Sequence, residues 1–182
     1  MFHLNTERLI DYWQSRKGEA RIPPRSSIDP GDFVDLLPQI FILGRTTPGA
    51  YSFRLVGGLI ADLHRSDLRQ RDFLSLWTRQ DRSTLQMAME ATRRTAEPIV
   101  ISCEASSAAG QARFEMALAP LAASPAGEAS RFLGLLQPTS SLTRMAARPV
   151  ERLTVRTIAT NGSEAAVRPY LRLAALDGRL TA

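Results

Sequence analysis

From residue 29 the chain carries the alternation on which its other segments depend. Asp29 stands before Pro30. A proline at the first helical position needs no amide partner and already has a helical φ, so Asp29 reads as the cap of a short helix. That helix is expected to stop before Pro38, because the residue ahead of a proline is pushed toward extended geometry. An apolar run over residues 40–43 follows, then a turn signal at Thr47-Pro48-Gly49. Tyr51, Phe53 and Leu55 alternate with Ser52, Arg54 and Val56, the period of a strand with one buried face. The spacing predicts a short helix, a β-hairpin at the edge of an antiparallel sheet, and a break at Gly57-Gly58.

Ahead of the hairpin, Asn5 or Thr6 can cap a helix running to about Lys17 and ended by Gly18. Leu9, Ile10 and Trp13 fall on one side of it. That stripe must be buried on the chain's own sheet or serve as a dimer or partner contact, and the pattern leaves both open. Residues 19–28 form a proline-bearing connector. Beyond the hairpin, Leu59, Ile60 and Leu63 suggest a short helix, and Leu68, Phe73, Leu74, Leu76 and Trp77 an irregular one. Thr78 is expected to cap a longer helix with Asp81 three residues on, and Leu85, Ala88, Met89, Thr92 and Ala96 recur at helical spacing until Pro98.

Three strand-like runs come next: Ile99, Ile101 and Cys103; Ala112, Phe114, Met116 and Leu118; and residues 132–137. The gaps between them are small, polar or Gly/Pro-bearing and fit hairpins. Two strands, a helical middle and three strands make an α+β architecture on a five-stranded antiparallel sheet, with helices between strands 2 and 3 and a flanking N-terminal helix. The division is residues 1–28 for helix and connector, 29–140 for the domain, and 141–182 for a loosely attached tail. Within that tail, residues 151–158 could form a strand.

Composition adds bounds. At 182 residues, 44% hydrophobic and 23% charged, the chain suits one globular domain, and its length needs no metal or disulfide staple. The single cysteine, Cys103, excludes an internal disulfide and fits a reducing, cytoplasmic setting. No stretch approaches the ~20 apolar residues of a membrane span, and residues 1–14 lack an apolar signal core. The net charge is +5, almost all from arginine, but the arginines are scattered among acidic residues without an aromatic-interleaved stripe. That pattern does not direct specific nucleic-acid binding.

Several short pieces resemble one subgroup of PAS domains, found as short bacterial proteins. They are Leu9-Ile-Asp-Tyr-Trp13, Ile22-Pro-Pro-Arg25 with Ile28-Asp-Pro30, Leu36-Leu-Pro-Gln-Ile-Phe41, Tyr51-Ser-Phe-Arg-Leu-Val-Gly57, Phe114-Glu-Met-Ala-Leu-Ala-Pro-Leu121 and Leu133-Gly-Leu-Leu-Gln-Pro138. In order and spacing they cover about the first three-quarters of the chain. One departure falls at Leu63-His-Arg-Ser-Asp-Leu68, where similar proteins tend to carry a glycine near Arg65. The resemblance implies a non-catalytic regulatory module in bacterial signal transduction. Such a module acts by protein–protein interaction with a partner such as a histidine kinase or its phosphorylation circuit, or as a homodimer. The alternative it implies is a sensor holding a small ligand between sheet and helices.

The only histidines are His3 and His64, and no nucleophile–base pair, phosphate loop or metal-ligand spacing emerges, so an enzyme is not expected and no cofactor is assigned. His64 as a haem ligand is outweighed by a helical histidine beside Arg65. Cys103 sits in a strand and reads as a buried thiol rather than a flavin adduct site. Arg21 and Arg25 can present two guanidinium forks to an anion such as a cyclic dinucleotide, or Arg25 can pair locally with Asp29. Leu59, Leu63, Trp77, Leu85, Met89, Cys103, Phe114 and Leu133 are the positions expected between helices and sheet, either lining a ligand pocket or filling the core.

Overall fold

The computed structural model describes residues 1–124, 127–145 and 148–160, together with the backbone strand at 163–167. The hairpin forms as the alternation predicts. β1 (Ile40–Thr47) pairs antiparallel with β2 (Ala50–Val56), with Phe41 opposite Val56 and Thr47 opposite Ala50. Three more strands, β3 (Ile99–Ser107), β4 (Gly110–Ala122) and β5 (Ala129–Pro138), follow the helical middle. Their order is β2-β1-β5-β4-β3, every neighbour antiparallel, which is the expected five-stranded sheet.

The sheet does not end there. β6 (Arg152–Thr160) pairs with β3 from Ile99–Thr160 to Ser106–Arg152, and β7 (Ser163–Val167) pairs with β6, giving seven strands. Residues 152–160 are therefore not a loosely attached tail. They cover the open edge of β3 and bury Leu153, Val155 and Ile158. The strand expected as a possibility over residues 151–158 forms with an interrupted alternation, because the register shifts between Ser102 and Cys103: Thr157 faces Ser102 while Val155 faces Cys103, so Arg156 is an extra residue. A bulge of this kind breaks the period of two on which strand recognition rests. The remainder of the tail, residues 168–182, lies outside the described residues.

Among the described residues three α-helices accompany the sheet: α1 (Leu4–Lys17), α2 (Gly58–His64) and α3 (Arg82–Thr95). α1 is capped by His3 rather than by Asn5 or Thr6; the Asn5 N–H donates to His3 Nδ1 at 3.1 Å. It ends at Gly18, φ +54, a conformation open to glycine at little cost. Asp29 accepts the Gly31 N–H at 2.8 Å as expected, but the turns that follow, Pro30–Gln39, are 3₁₀ in character, kink at Phe33 and run through Pro38 instead of stopping before it. α3 starts at Arg82, so Thr78 is not its cap. The Thr78 hydroxyl donates instead to the Asp81 carboxylate. Ala96, φ +61, closes the helix two residues before Pro98.

Both faces of the sheet are apolar. On one, Phe41, Leu43, Phe114, Met116, Leu118, Phe132 and Leu136 meet Leu85 and Met89 of α3 together with Phe73 and Trp77. On the other, Ile40, Ile42, Ala117, Ala119, Leu121, Leu133 and Leu135 meet Leu9 and Trp13 of α1, with Phe33 and Leu36. Alanines at 117 and 119 leave room for the helix, and the Trp13 indole N–H donates to the Pro120 carbonyl at 2.7 Å. Burial of each large apolar side chain contributes about 1.5–3 kcal/mol. Gly134 faces Phe41 across β1 and β5, where a Cβ would stand 2.2 Å from the ring, so the absent side chain is what admits the aromatic.

Candidate functional site

The space between the sheet and the helices is occupied by side chains. The Phe41 and Phe53 rings lie 5.7 Å apart, Phe53 and Phe73 5.8 Å, Phe41 and Phe73 6.2 Å, and Phe73 and Trp77 5.8 Å. These are spacings at which aromatic pairs attract beyond their area burial. Of the eight positions expected there, Trp77, Leu85, Met89, Cys103 and Phe114 are in this core. Burial pushes the Cys103 thiol up to about 12, which leaves it protonated and unreactive. Trp77 is 1% exposed, and its indole N–H meets no acceptor among the described residues.

The other three positions differ. Leu133 belongs to the opposite face, packed with Leu9 and Trp13. In the run Phe132-Leu-Gly-Leu-Leu136 both parities are apolar, because β5 is covered on both sides, and sequence alone cannot choose between them. Leu59 and Leu63 sit half-buried on α2 and line a surface groove, with Leu63 also packed against the edge of this core. Leu9, Ile10 and Trp13 are no more than 4% exposed, all covered within the chain, which removes these three side chains from dimer or partner contact.

Arg21 and Arg25 serve different neighbours. Arg21 donates to the Arg94 carbonyl at the end of α3, while Arg25 donates to the Ile28 carbonyl at 3.3 Å. Asp29, which Arg25 was expected to pair with, accepts from the Gly31 amide instead. The two guanidinium groups are thus directed to two backbone carbonyls rather than presented together as a fork.

Two features were not singled out from the sequence. The first is a half-buried charge cluster joining the hairpin to α3. Glu90 accepts from the Tyr51 hydroxyl, from Arg93 Nε at 3.1 Å and from Arg45 at 3.4 Å, and Arg93 reaches Glu128 at 2.9 Å. Burial raises the Tyr51 phenol well above its ordinary value, with the Glu90 hydrogen bond adding to it, and so keeps it a donor. Burial works against the Glu90 carboxylate, but the hydrogen bonds from Tyr51 and Arg93 hold it below the usual range. The members come from residues 45, 51, 90, 93 and 128, too far apart in sequence for any spacing to reveal.

The second is a groove of about 1180 Å³ beside α2. Its floor is Val56, Leu59, Leu63 and Leu68 on one side and Leu142 and Met145, from the turn Leu142–Met145, on the other. Arg65, Arg69 and Arg148 stand around it with Asp62 and Asp67. Asp67 and Arg69 satisfy each other at 2.7 Å, which holds the Asp67 carboxyl down to about 2. Arg65 ends α2 with φ 48 and ψ 35, the left-handed position usually given to glycine. A side chain there costs about 1 kcal/mol relative to glycine. His64, next to it, is 9% exposed, and burial, then the nearby Arg71 charge, lowers its pKa to about 4.

The family model described as PAS domain matches residues 1–137, and the chain belongs to that family. PAS domains are sensory and signalling modules, generally non-catalytic, so the class of the protein is that of a sensory or signalling domain. Among solved structures, the chain is similar to one titled as an RNA-binding light-oxygen-voltage receptor, at 15% identity and a TM-score of 0.47. The alignment covers 69% of this chain and 38% of the receptor chain, so the present sequence spans well under half of that receptor's length. No curated protein matches. No helix among the described residues is long and apolar enough to cross a membrane.

Proposed function

We propose that this chain is a non-catalytic PAS regulatory module that acts by binding another protein of a signalling circuit, a histidine kinase or one of its phosphorylation partners being the expected type. The observation that carries the reading is the filled interior. Phe41, Phe53, Phe73 and Trp77 pack ring against ring where a PAS ligand would lie, with Leu85, Met89 and Phe114 around them. A core filled by these side chains leaves the surface as the place where state is passed on. The test is native mass spectrometry of the purified protein together with affinity capture from its own cells. A bare chain mass and a captured signalling protein that binds again when purified support the reading. A stoichiometric small molecule retained on the chain overturns it.

A second reading, a small-ligand sensor, is favoured by one observation. The buried Trp77 indole N–H has no acceptor among the described residues, and an unmet buried donor costs about 1–3 kcal/mol unless a water or ligand atom meets it. The same mass measurement separates the two readings.

A further inference from the structure

We infer that the groove between α2 and the turn Leu142–Met145 is the docking site for an acidic amphipathic helix of a partner protein. The inference rests on the protein-binding function proposed above and names where and with what chemistry that binding occurs. Leu59, Leu63 and Leu142 are half-buried apolar side chains lining the groove; Leu63 and Leu142 pack against the core on one side and offer their remaining surface to the groove. The groove is open and wide, whereas small molecules are held in sites that enclose most of their surface. An apolar trough of this kind accepts the apolar stripe of a helix, read as anchors at i, i+3 or i+4, and i+7.

Charge selects the helix. With Asp67 and Arg69 satisfying each other, the rim presents Arg65 and Arg148 against the single carboxylate of Asp62. Neither arginine has an ion-pair partner among the described residues. Residues 168–182 of this chain contain Arg168, Arg172 and Arg179 against Asp177, and a second copy brings a net charge of +5, so both are repelled by such a rim. A partner carrying carboxylates beside its apolar stripe is attracted. Arg65 adds an independent sign. It holds a long cationic side chain at the one position of the groove wall where the backbone favours glycine, and strain of this kind collects at working surfaces.

The test uses the full chain and a fluorescent helical peptide of roughly 18 residues, about five turns. It carries leucines at i, i+3, i+4 and i+7 with flanking glutamates, and the control peptide has glutamine in their place. Fluorescence anisotropy is expected to show the glutamate peptide binding about fivefold more tightly than the glutamine one, with the difference lost in about 0.5 M salt. Arg65→Gly is the deciding variant. It relieves the left-handed residue, so it is expected to melt at a higher temperature and yet to bind the glutamate peptide about fivefold more weakly. Equal affinity for Arg65→Gly, or no binding of the glutamate peptide, overturns the proposal.

A photo-reactive p-benzoylphenylalanine in place of Leu59 identifies the occupant. Cross-links to the added peptide support the assignment; cross-links into residues 168–182 or to a second copy overturn it. Protein binding and the groove as its place fail separately. A retained small-molecule mass strikes the protein-binding reading itself, whereas an unresponsive peptide strikes the groove alone.

Discussion

The carboxylate of Asp81 accepts the Val155 backbone N–H at 3.1 Å, joining the start of α3 to a strand 74 residues further along the chain. Asp81 is 1% exposed and takes the Thr78 hydroxyl as well. The arrangement follows from the bulge in β6. Where Arg156 is inserted, the ladder to β3 loses its register, and a side chain from the helical layer meets the adjoining amide. Close by, the Thr78 N–H donates to the Leu153 carbonyl at 2.9 Å. The strand beyond the matched family region is thereby fastened to the α3 end of the domain.

Removal of this acceptor is expected to loosen the strand before the rest. Asp81→Ala leaves the Val155 amide unmet in a buried place, at a cost of about 1–3 kcal/mol in chemical denaturation. Hydrogen exchange of amides 152–160 is expected to speed up more than that of β4. Uniform exchange in the two strands would show that Asp81 does not hold β6 specifically.

Stability should fall with acidity through His64. Its ordinary value of 6.5 holds in the unfolded chain, while burial and Arg71 lower it to about 4 in the folded one. Between these values the unfolded state binds the proton and the folded state does not, so stability is full above pH 6.5 and is lost as pH falls toward 4. The loss by pH 5 is about 2 kcal/mol. Denaturant unfolding of wild type and His64→Gln at pH 7 and pH 5 checks this, with the variant expected to lose about 2 kcal/mol less between the two pH values.

Arg65→Gly is expected to stabilise the fold by about 1 kcal/mol, because glycine enters the left-handed region without the steric cost of a Cβ. Arg65→Ala keeps that cost and is expected to leave stability near wild type. Thermal melts of both variants make the comparison.

Cys103 is expected to resist a thiol reagent in the native protein at pH 8 and to react fully once denaturant unfolds it. It is 1% exposed and burial alone pushes its pKa up to about 12. Rapid labelling of the native protein would place the thiol at the surface and count against the packed interior.

Gly134→Ala tests the packing of the hairpin against β5. The new methyl meets the Phe41 ring, with an expected destabilisation of about 1–3 kcal/mol by chemical denaturation. Unchanged stability would mean that the ring is free to move aside.

The amino-acid order alone was sufficient for the hairpin, the central helix and the five-stranded sheet, because these announce themselves locally. Tyr51 and Phe53 alternate with polar neighbours, Leu85, Met89 and Thr92 recur at helical spacing, and Pro98 stops the helix. Folding in three dimensions decided what local pattern cannot encode. Leu133 took the α1 face although β5 is apolar on both parities, β6, legible as a possible strand, found its place beside β3 only through pairing, and Glu90 met Tyr51 and Arg45 only when distant segments packed. The groove is of the same kind: α2 supplies one wall and residues some eighty positions later the other, so its apolar floor and flanking arginines come together only once the chain has closed on itself.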